Sequence, residues 1–428
     1  MKLKPIVASM LVLVSGPVLA ATASDNANTQ AQLDAMKANV AKLQAIVEQN
    51  QPGGFQQPDN WWNRISLSGQ VLFDAIQSSR QGNIQSPTTN QRLASDLSEF
   101  AGYQSSTFAV DSANLFVDAN ASDYTRAHLD LAYQTGTNQT HYYQVQQPTL
   151  NEGYVILGNF NKYPFYLMAG RQNVQFGEYD VYPMVYSFTQ LMTQTKATAA
   201  TAGFVDACSG FNAAVYGFKG LHQFAASGLS NERVNAFGAK VGIKNNFDNW
   251  GYGVSVDYLS NMVNVDYIKT SNATNTALDN GLSSTGYRNH VAGVAVDGDL
   301  VGGPFDAKVR WVQSLGHFNQ TDVPDYSNSV LQTNGAKPWA AGLDLGYSFL
   351  TMQHQSRVGV GYQQSGQAAG VGAFGLAQNR YEAQYVVNVS RYTDLGLDVY
   401  YDNDYSTSNG GSGLGATTGV LRLGVKFA

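Results

Sequence analysis

The chain closes on Thr418-Gly-Val-Leu-Arg-Leu-Gly-Val-Lys-Phe-Ala428, and this stretch decides the fold. Leu421, Leu423, Val425 and Phe427 share one parity; Arg422, Gly424 and Lys426 share the other. Side chains of a strand alternate between opposite faces, so one face of this segment is apolar and the other cationic. Two structures satisfy that pattern: the edge of a soluble sheet, or the closing strand of a barrel in lipid. The remainder of the chain must discriminate between them.

The same period of two recurs for most of the length. In the segment from Arg64, Ile65, Leu67, Gly69, Val71 and Phe73 alternate with Ser66, Ser68, Gln70 and Asp74. Further on, Phe305, Ala307, Val309 and Trp311 alternate with Asp306, Lys308 and Arg310, and Tyr381, Ala383, Tyr385 and Val387 alternate with Glu382, Gln384 and their neighbours. Segments 125–133, 236–244, 250–258, 339–349 and 395–401 repeat it. Charged residues make up only 13% of the chain, against about a quarter in an ordinary soluble domain. A soluble sandwich of this length needs a far more charged outer face.

The connections alternate in length. Long ones rich in Asn, Ser, Thr, Gly and Gln fall at 77–106, 134–152, 173–210, 261–288, 315–337 and 403–416. Tight ones fall at 120–124, 161–164, 245–249, 301–304 and 391–394. All the long loops therefore belong to one end of the strands, the asymmetry of outer-membrane barrels. Residues 61–428 divide into strands of roughly ten residues and give an even number near sixteen, with the strand at 221–227 the least marked. The predicted fold is thus all-β: a transmembrane antiparallel barrel of about 16 strands, preceded by a short helical coiled coil. Aromatic pairs near strand ends, Trp61-Trp62, Tyr163 with Phe165-Tyr166, and Tyr400-Tyr401, suit interfacial girdles.

The N-terminal residues set the compartment. Lys2 and Lys4 precede an apolar run from Ile6 to Val14, and Val18-Leu19-Ala20 supplies small residues for cleavage, so residues 1–20 read as a signal peptide. Ala21-Thr22-Ala23 satisfies the same rule three residues later. The apolar run is shorter than the roughly 20 residues of a membrane helix. In residues 21–51, Leu33, Met36, Val40, Leu43 and Val47 keep coiled-coil spacing and predict a periplasmic oligomerisation helix; a lone amphipathic helix lying on its own domain is the other reading. A helix of that length is marginal alone in water. Residues 52–60, with Pro52, Gly53, Gly54 and Pro58, form a linker, and 61–428 the barrel.

Composition and spacing also exclude. The net charge is −6 without a polybasic run, so nucleic acid is not an expected partner; the expected partner is outer-membrane lipid. Cys208 is the single cysteine and cannot form an internal disulfide. No metal-ligand spacing stands out, and no cofactor is expected. The six histidines, His128, His141, His222, His290, His317 and His354, are scattered without a catalytic pattern, which argues against an enzyme.

A barrel near sixteen strands encloses an aqueous channel unless something fills it. The predicted function is therefore a porin for small hydrophilic solutes, with a structural or adhesive barrel, and then an outer-membrane hydrolase, as the alternatives. The third long loop, entered through Gly170-Arg171-Gln172, carries Tyr179, Tyr182, Tyr186, Phe188 and Met192 and is the segment expected to fold inward. Lumen-parity charges are expected at Arg126, His128 and Asp130, at Asp306, Lys308 and Arg310, and at Lys240, Lys244, Asp257, Asp344, Arg357, Glu382, Asp398, Arg422 and Lys426. Opposed rows of charge would give a transverse field favouring dipolar solutes, and local ion pairs across the wall are the other reading. Arg171, Tyr179, Tyr182 and Tyr186 complete the predicted pore lining.

This layout, with Gly170-Arg171-Gln172, Phe176-Gly177 and Tyr182-Pro183 leading into the third loop, resembles the LbtU-type siderophore porins of Legionella and related gammaproteobacteria. It is also similar in plan to DcaP-like trimeric porins. The resemblance implies a homotrimer in the Gram-negative outer membrane that takes up a small hydrophilic solute or a ferric siderophore without a TonB plug.

Overall fold

The computed structural model describes residues 64–80, 104–133, 149–160, 162–179, 184–220, 234–247, 249–266, 290–320, 323, 325, 332, 334–369 and 375–427. The signal peptide and the coiled-coil positions Leu33, Met36, Val40, Leu43 and Val47 lie outside these residues, as do Trp61-Trp62 and Tyr182.

Sixteen strands form one antiparallel sheet closed on itself. They are β1 (Ile65–Arg80), β2 (Gln104–Ser122), β3 (Thr125–Tyr133), β4 (Thr149–Leu157), β5 (Phe165–Asn173) and β6 (Lys196–Val205). Next come β7 (Phe211–Phe218), β8 (Ala236–Asn246), β9 (Trp250–Leu259), β10 (Gly293–Gly302) and β11 (Phe305–Ser314). The last are β12 (Trp339–Thr351), β13 (His354–Gly366), β14 (Asn379–Ser390), β15 (Thr393–Asn403) and β16 (Gly415–Phe427). Every strand pairs with its chain neighbours, and β16 pairs with β1. The long connections gather at one rim and the short ones at the other.

Two boundaries differ from the sequence reading. The stretch taken as one connection, 173–210, contains β6, so the third loop is 174–195. The cause is compositional: Lys-Ala-Thr-Ala-Ala-Thr-Ala-Gly-Phe-Val alternates little in hydropathy, since both faces carry alanine. The seventh strand is Phe211–Phe218, and 221–227 lies outside the described residues.

Parity sorts the wall into two solvents. Leu421, Leu423, Val425 and Phe427 are exposed on the outside of β16, while Val420 is buried on the inside. The same outward parity exposes Leu67 and Val71 on β1, Val254 and Val256 on β9, Leu343 and Leu345 on β12, and Leu395 and Leu397 on β15. A band this continuous is far beyond what a monomer leaves in water and is the surface a bilayer core solvates. Near the short-turn rim the outer face is aromatic: Phe165 packs on Phe204 at 5.2 Å, Phe247 on Trp250 at 4.6 Å and Phe305 on Tyr347 at 5.0 Å between centroids. Tyr163 and Tyr401 point outward as expected of a girdle, whereas Tyr400 is buried inside the wall.

Closure is sealed by charge as well as by the ladder. Asp74 and Arg422 are in register across β1 and β16, and Arg422 donates Nε and Nη2 to the two Asp74 oxygens at 2.7 Å each. Asp111 of β2 adds a third oxygen 3.0 Å from Nη2. On the outer face the Phe427 ring lies over Gly69, where a Cβ would stand 2.3 Å from Cζ. Because Asp74 is almost fully buried, removing one partner strands the other charge, at a cost of roughly 3–5 kcal/mol. Arg422→Met, which leaves Asp74 buried without its partner, is therefore expected to lower the temperature at which the folded band is lost on heat-modifiability gels, and Asp74→Leu combined with Arg422→Met to restore part of it. Equal behaviour of the single and paired variants would contradict the seam.

Candidate functional site

The third loop enters the lumen and crosses it. Val174 continues β5 by donating its N–H to Thr195 O at 2.9 Å, so the loop is pinched at its base. Gly177 then turns the chain at φ 81°, a left-handed value, with no room for a side chain: a Cβ would stand 2.6 Å from Thr193 Oγ1. Its N–H donates to Asp257 Oδ2 on β9 at 2.8 Å, and Glu178 pairs with Lys240 on β8. These contacts fix the loop's entry against one wall.

The descending half carries one short helix, α1 (Phe188–Thr193), capped by Ser187, whose Oγ accepts from Gln190 N at 3.1 Å. Phe188 and Met192 face a buried apolar cluster with Val174, Phe176, Phe218, Leu259, Met262 and Val312, drawn from β7, β9, β11 and the loop bases. Burying several large side chains at about 1.5–3 kcal/mol each supplies the main force holding the loop inside.

The tip docks on the far wall. Met184 N donates to Asp398 Oδ2 on β15 at 3.1 Å, and Phe188 N donates to Gln363 Oε1 on β13 at 2.7 Å. Arg380 on β14 clamps both sides: Nε and Nη2 hold Asp402 at 2.7 and 2.8 Å, Nη1 donates to Tyr186 O at 3.1 Å, and its guanidinium lies 4.8 Å from the Phe188 ring centre and 4.4 Å from that of Tyr400. The lumen is thus divided, with the loop packed against β7 to β15.

Inside the wall the cations are held locally. Arg310 bonds Asp299 at 2.7 Å and lies 3.3 Å from Asp297; Arg357 bonds both Asp306 oxygens at 2.9 and 2.6 Å; Lys426 pairs with Asp394 at 2.6 Å. Lys308 is in register with Asp299 and Asp344. Glu382 accepts from Gln363 Nε2 at 3.2 Å beneath the loop tip. On β3, His128 Nδ1 donates to Asp118 Oδ1 at 2.7 Å, Asp130 accepts from Asn114 at 2.9 Å, and Arg126 shares their inward parity. The charges form short ion pairs between strands one or two apart in place of two opposed rows of free charge.

Two predicted lining residues, Arg171 and Tyr179, are placed otherwise. Arg171 stands on the outward parity of β5 with Leu167 and Ala169, exposed, its Nε donating to Leu150 O at 2.9 Å. The parity of β5 is set by Gln172, which is buried inward and bonds Ala199 O at 3.1 Å, and this puts Arg171 on the other face. Tyr179 is half-buried, its hydroxyl turned into the loop and donating to Phe176 O at 3.1 Å, and desolvation pushes that hydroxyl well above the usual tyrosine range. Tyr186 stands at the loop tip, contributing its carbonyl to the Arg380 clamp. Arg380, Gln363 and Asp402 were absent from the predicted site. Parity on β14 places Arg380 with Glu382, but nothing local shows that a loop about 190 residues earlier would dock there.

No family model matches the chain. It is 28% identical over 265 residues to a UPF0422 protein of Coxiella burnetii, covering 60% of this chain and 51% of that one. It is 25% identical over 299 residues to a UPF0422 protein of Legionella pneumophila, covering 65% and 53%. The chain spans about half the length of the curated relatives it matches. Among solved structures it superposes on an anion-selective porin from Comamonas acidovorans with a TM-score of 0.54, at 11% identity over 85% of this chain and 99% of that one. The outer membrane channel DcaP of Acinetobacter baumannii gives a TM-score of 0.51 at 11% identity, over 85% and 97%. OmpF of Salmonella typhi, solved with daunomycin, gives 0.51 at 11% over the same shares. At such identities the likeness is one of fold: the chain forms a closed sixteen-stranded barrel of the porin-like, outer-membrane type.

Proposed function

We propose that the protein is an outer-membrane porin that passes small hydrophilic solutes through a lumen narrowed by its third loop. The observation that carries this reading is the loop itself, pinned at its base to β8 and β9 and clamped at its tip by Arg380, Gln363 and Asp398. A wall of sixteen strands is wide enough for water, and a firmly held constriction selects by size and charge.

The finer parts of the reading are these. Residues 1–20 direct export, residues 21–51 form a periplasmic coiled coil, and three copies assemble. Of the predicted lining, Arg126, His128, Asp130, Asp306, Lys308, Arg310, Arg357, Glu382, Arg422 and Lys426 tune the passage. The resemblance to LbtU-type porins makes a ferric siderophore one solute to try. A structural or adhesive barrel is the second reading, favoured by the apolar cluster that fills part of the lumen.

Conductance of the purified protein in a planar bilayer tests the two. Ohmic steps arriving in threes, reduced by an added ferric siderophore, are the outcome expected of the full reading; steps without block leave a general porin. Silence from a barrel shown to be folded would leave the structural reading. Arg380→Met removes the clamp from Asp402 and Tyr186 O, and should raise both the conductance and the protease sensitivity of the third loop. Leu43→Asp is expected to reduce the oligomer mass in light scattering while the heat-shifted monomer band persists.

A further inference from the structure

The outer face of the wall carries charge of one sign. Parity places the carboxylates of the described strands inside the barrel, and Asp111, at the β2 bulge, is turned there onto Arg422 at 3.0 Å. Arg171, by contrast, shares the outward face of β5 with Leu167 and Ala169 and is exposed. Its Nε donates to Leu150 O at 2.9 Å, and among the described residues Nη1 and Nη2 make no hydrogen bond or ion pair. A second cation stands two strands away. Arg171 is in register with Thr198 on β6, and Lys219 follows Phe218, the register partner of Ala199, so Lys219 comes alongside Thr198 on the same outward parity. Thr198 and Lys219 are exposed, and Lys219 has no ion pair among the described residues.

The row lies at the long-loop rim. Arg171 is near the end of β5, Thr198 near the start of β6, and Lys219 just past β7. These strands have 9, 10 and 8 residues, only just enough to span a bilayer when tilted, so their ends meet the headgroups, where an outward cation costs far less than at the midplane. On the next outward row toward the short turns, Ala169, Ala200 and Gly217 are in register, followed by Leu167, Ala202 and Val215. Two methyls and a hydrogen stand there, where most other strands present Leu, Val or aromatic side chains to lipid, so the wall is recessed directly beneath the cations.

Strands two apart are separated by about 9.6 Å, a gap that an arginine and a lysine can close by converging on one anion over the threonine between them. A guanidinium, a hydroxyl and an ammonium in line above an apolar recess are complementary to a phosphate carried on acyl chains. A second copy of the chain fits the row less well, because the outward faces of its described strands hold no carboxylate to meet two cations. The long-loop rim of an outer-membrane barrel faces outward, which places the row in the outer leaflet.

We propose that Arg171 and Lys219, with Thr198 between them, hold the phosphate of an anionic outer-leaflet lipid whose acyl chains lie in the recess over Ala169, Ala200 and Gly217. The site is on the outside of the wall and goes beyond the porin reading, since nothing in it depends on an open lumen.

The test is lipid binding to the folded full chain in non-ionic detergent by native mass spectrometry, with diphosphoryl lipid A as probe and the same lipid stripped of its phosphates as control. The phosphorylated lipid should bind at least about tenfold tighter, and Arg171→Gln and Lys219→Gln should each weaken it by about three- to tenfold. Lys162→Gln, which removes an exposed cation from the opposite rim, should leave it within about twofold. Heat-shifted migration reports whether each variant folds, and Lys219→Gln, outside any strand, decides the outcome if Arg171→Gln does not fold. Equal binding of the two lipids, undiminished binding in either folded variant, or an equal loss in Lys162→Gln overturns the proposal. So does a fall in oligomer mass by light scattering with lipid binding unchanged, which would make the row a contact between copies. Binding by a barrel that carries no current would keep the site while ending the porin reading.

Discussion

Everything in this structure depends on one constraint: a strand in hydrocarbon has no water to satisfy its N–H and C=O groups, so a spanning sheet must have no edge. The chain meets it by pairing β16 with β1, and the register of that pairing brings Asp74 opposite Arg422. The ion pair is therefore both a consequence of closure and a selector of register, because a slip of one residue would turn the charge of the slipped strand toward lipid and leave its partner alone inside. Phe427 over Gly69 does the same from outside, filling on the lipid face the gap a glycine leaves.

Closure creates an interior, and the third loop determines its use. Apolar residues fasten one side of the loop, where Phe176, Phe188 and Met192 meet small and apolar inward residues of β6 to β12. Charged and amide side chains fasten its tip, where Arg380 and Gln363 bond the backbone. The two modes act differently: the apolar side sets how much lumen is filled, and the polar tip sets where the loop ends. With the loop packed against β7 to β15, the rings of Phe116, His128 and Tyr154 stack across β2, β3 and β4, away from its tip.

The fold was legible because lipid on one side and water on the other enforce a period of two, which survives in nearly every strand as a visible alternation. Where the alternation is weak, legibility fails: β6, with alanine on both faces, merged into a loop. The turn between β12 and β13 left no mark either, since Met352 and Gln353 take φ of 48° and 70° without the glycine or asparagine that usually announces such a turn. The inward-folding third loop was legible from its misplaced aromatics, although Tyr179 is stapled inside the loop and Arg171 faces outward.

By itself, then, the sequence determined the barrel, an even strand number near sixteen, its two faces and the segment that enters the lumen, because each follows from local periodicity and composition. The tertiary structure alone decided which charges neutralise one another, that Arg380 meets Tyr186, and that Phe116, His128 and Tyr154 stack across β2, β3 and β4. Those facts join residues far apart in the chain, and their geometry depends on barrel register and loop docking, which no local pattern encodes.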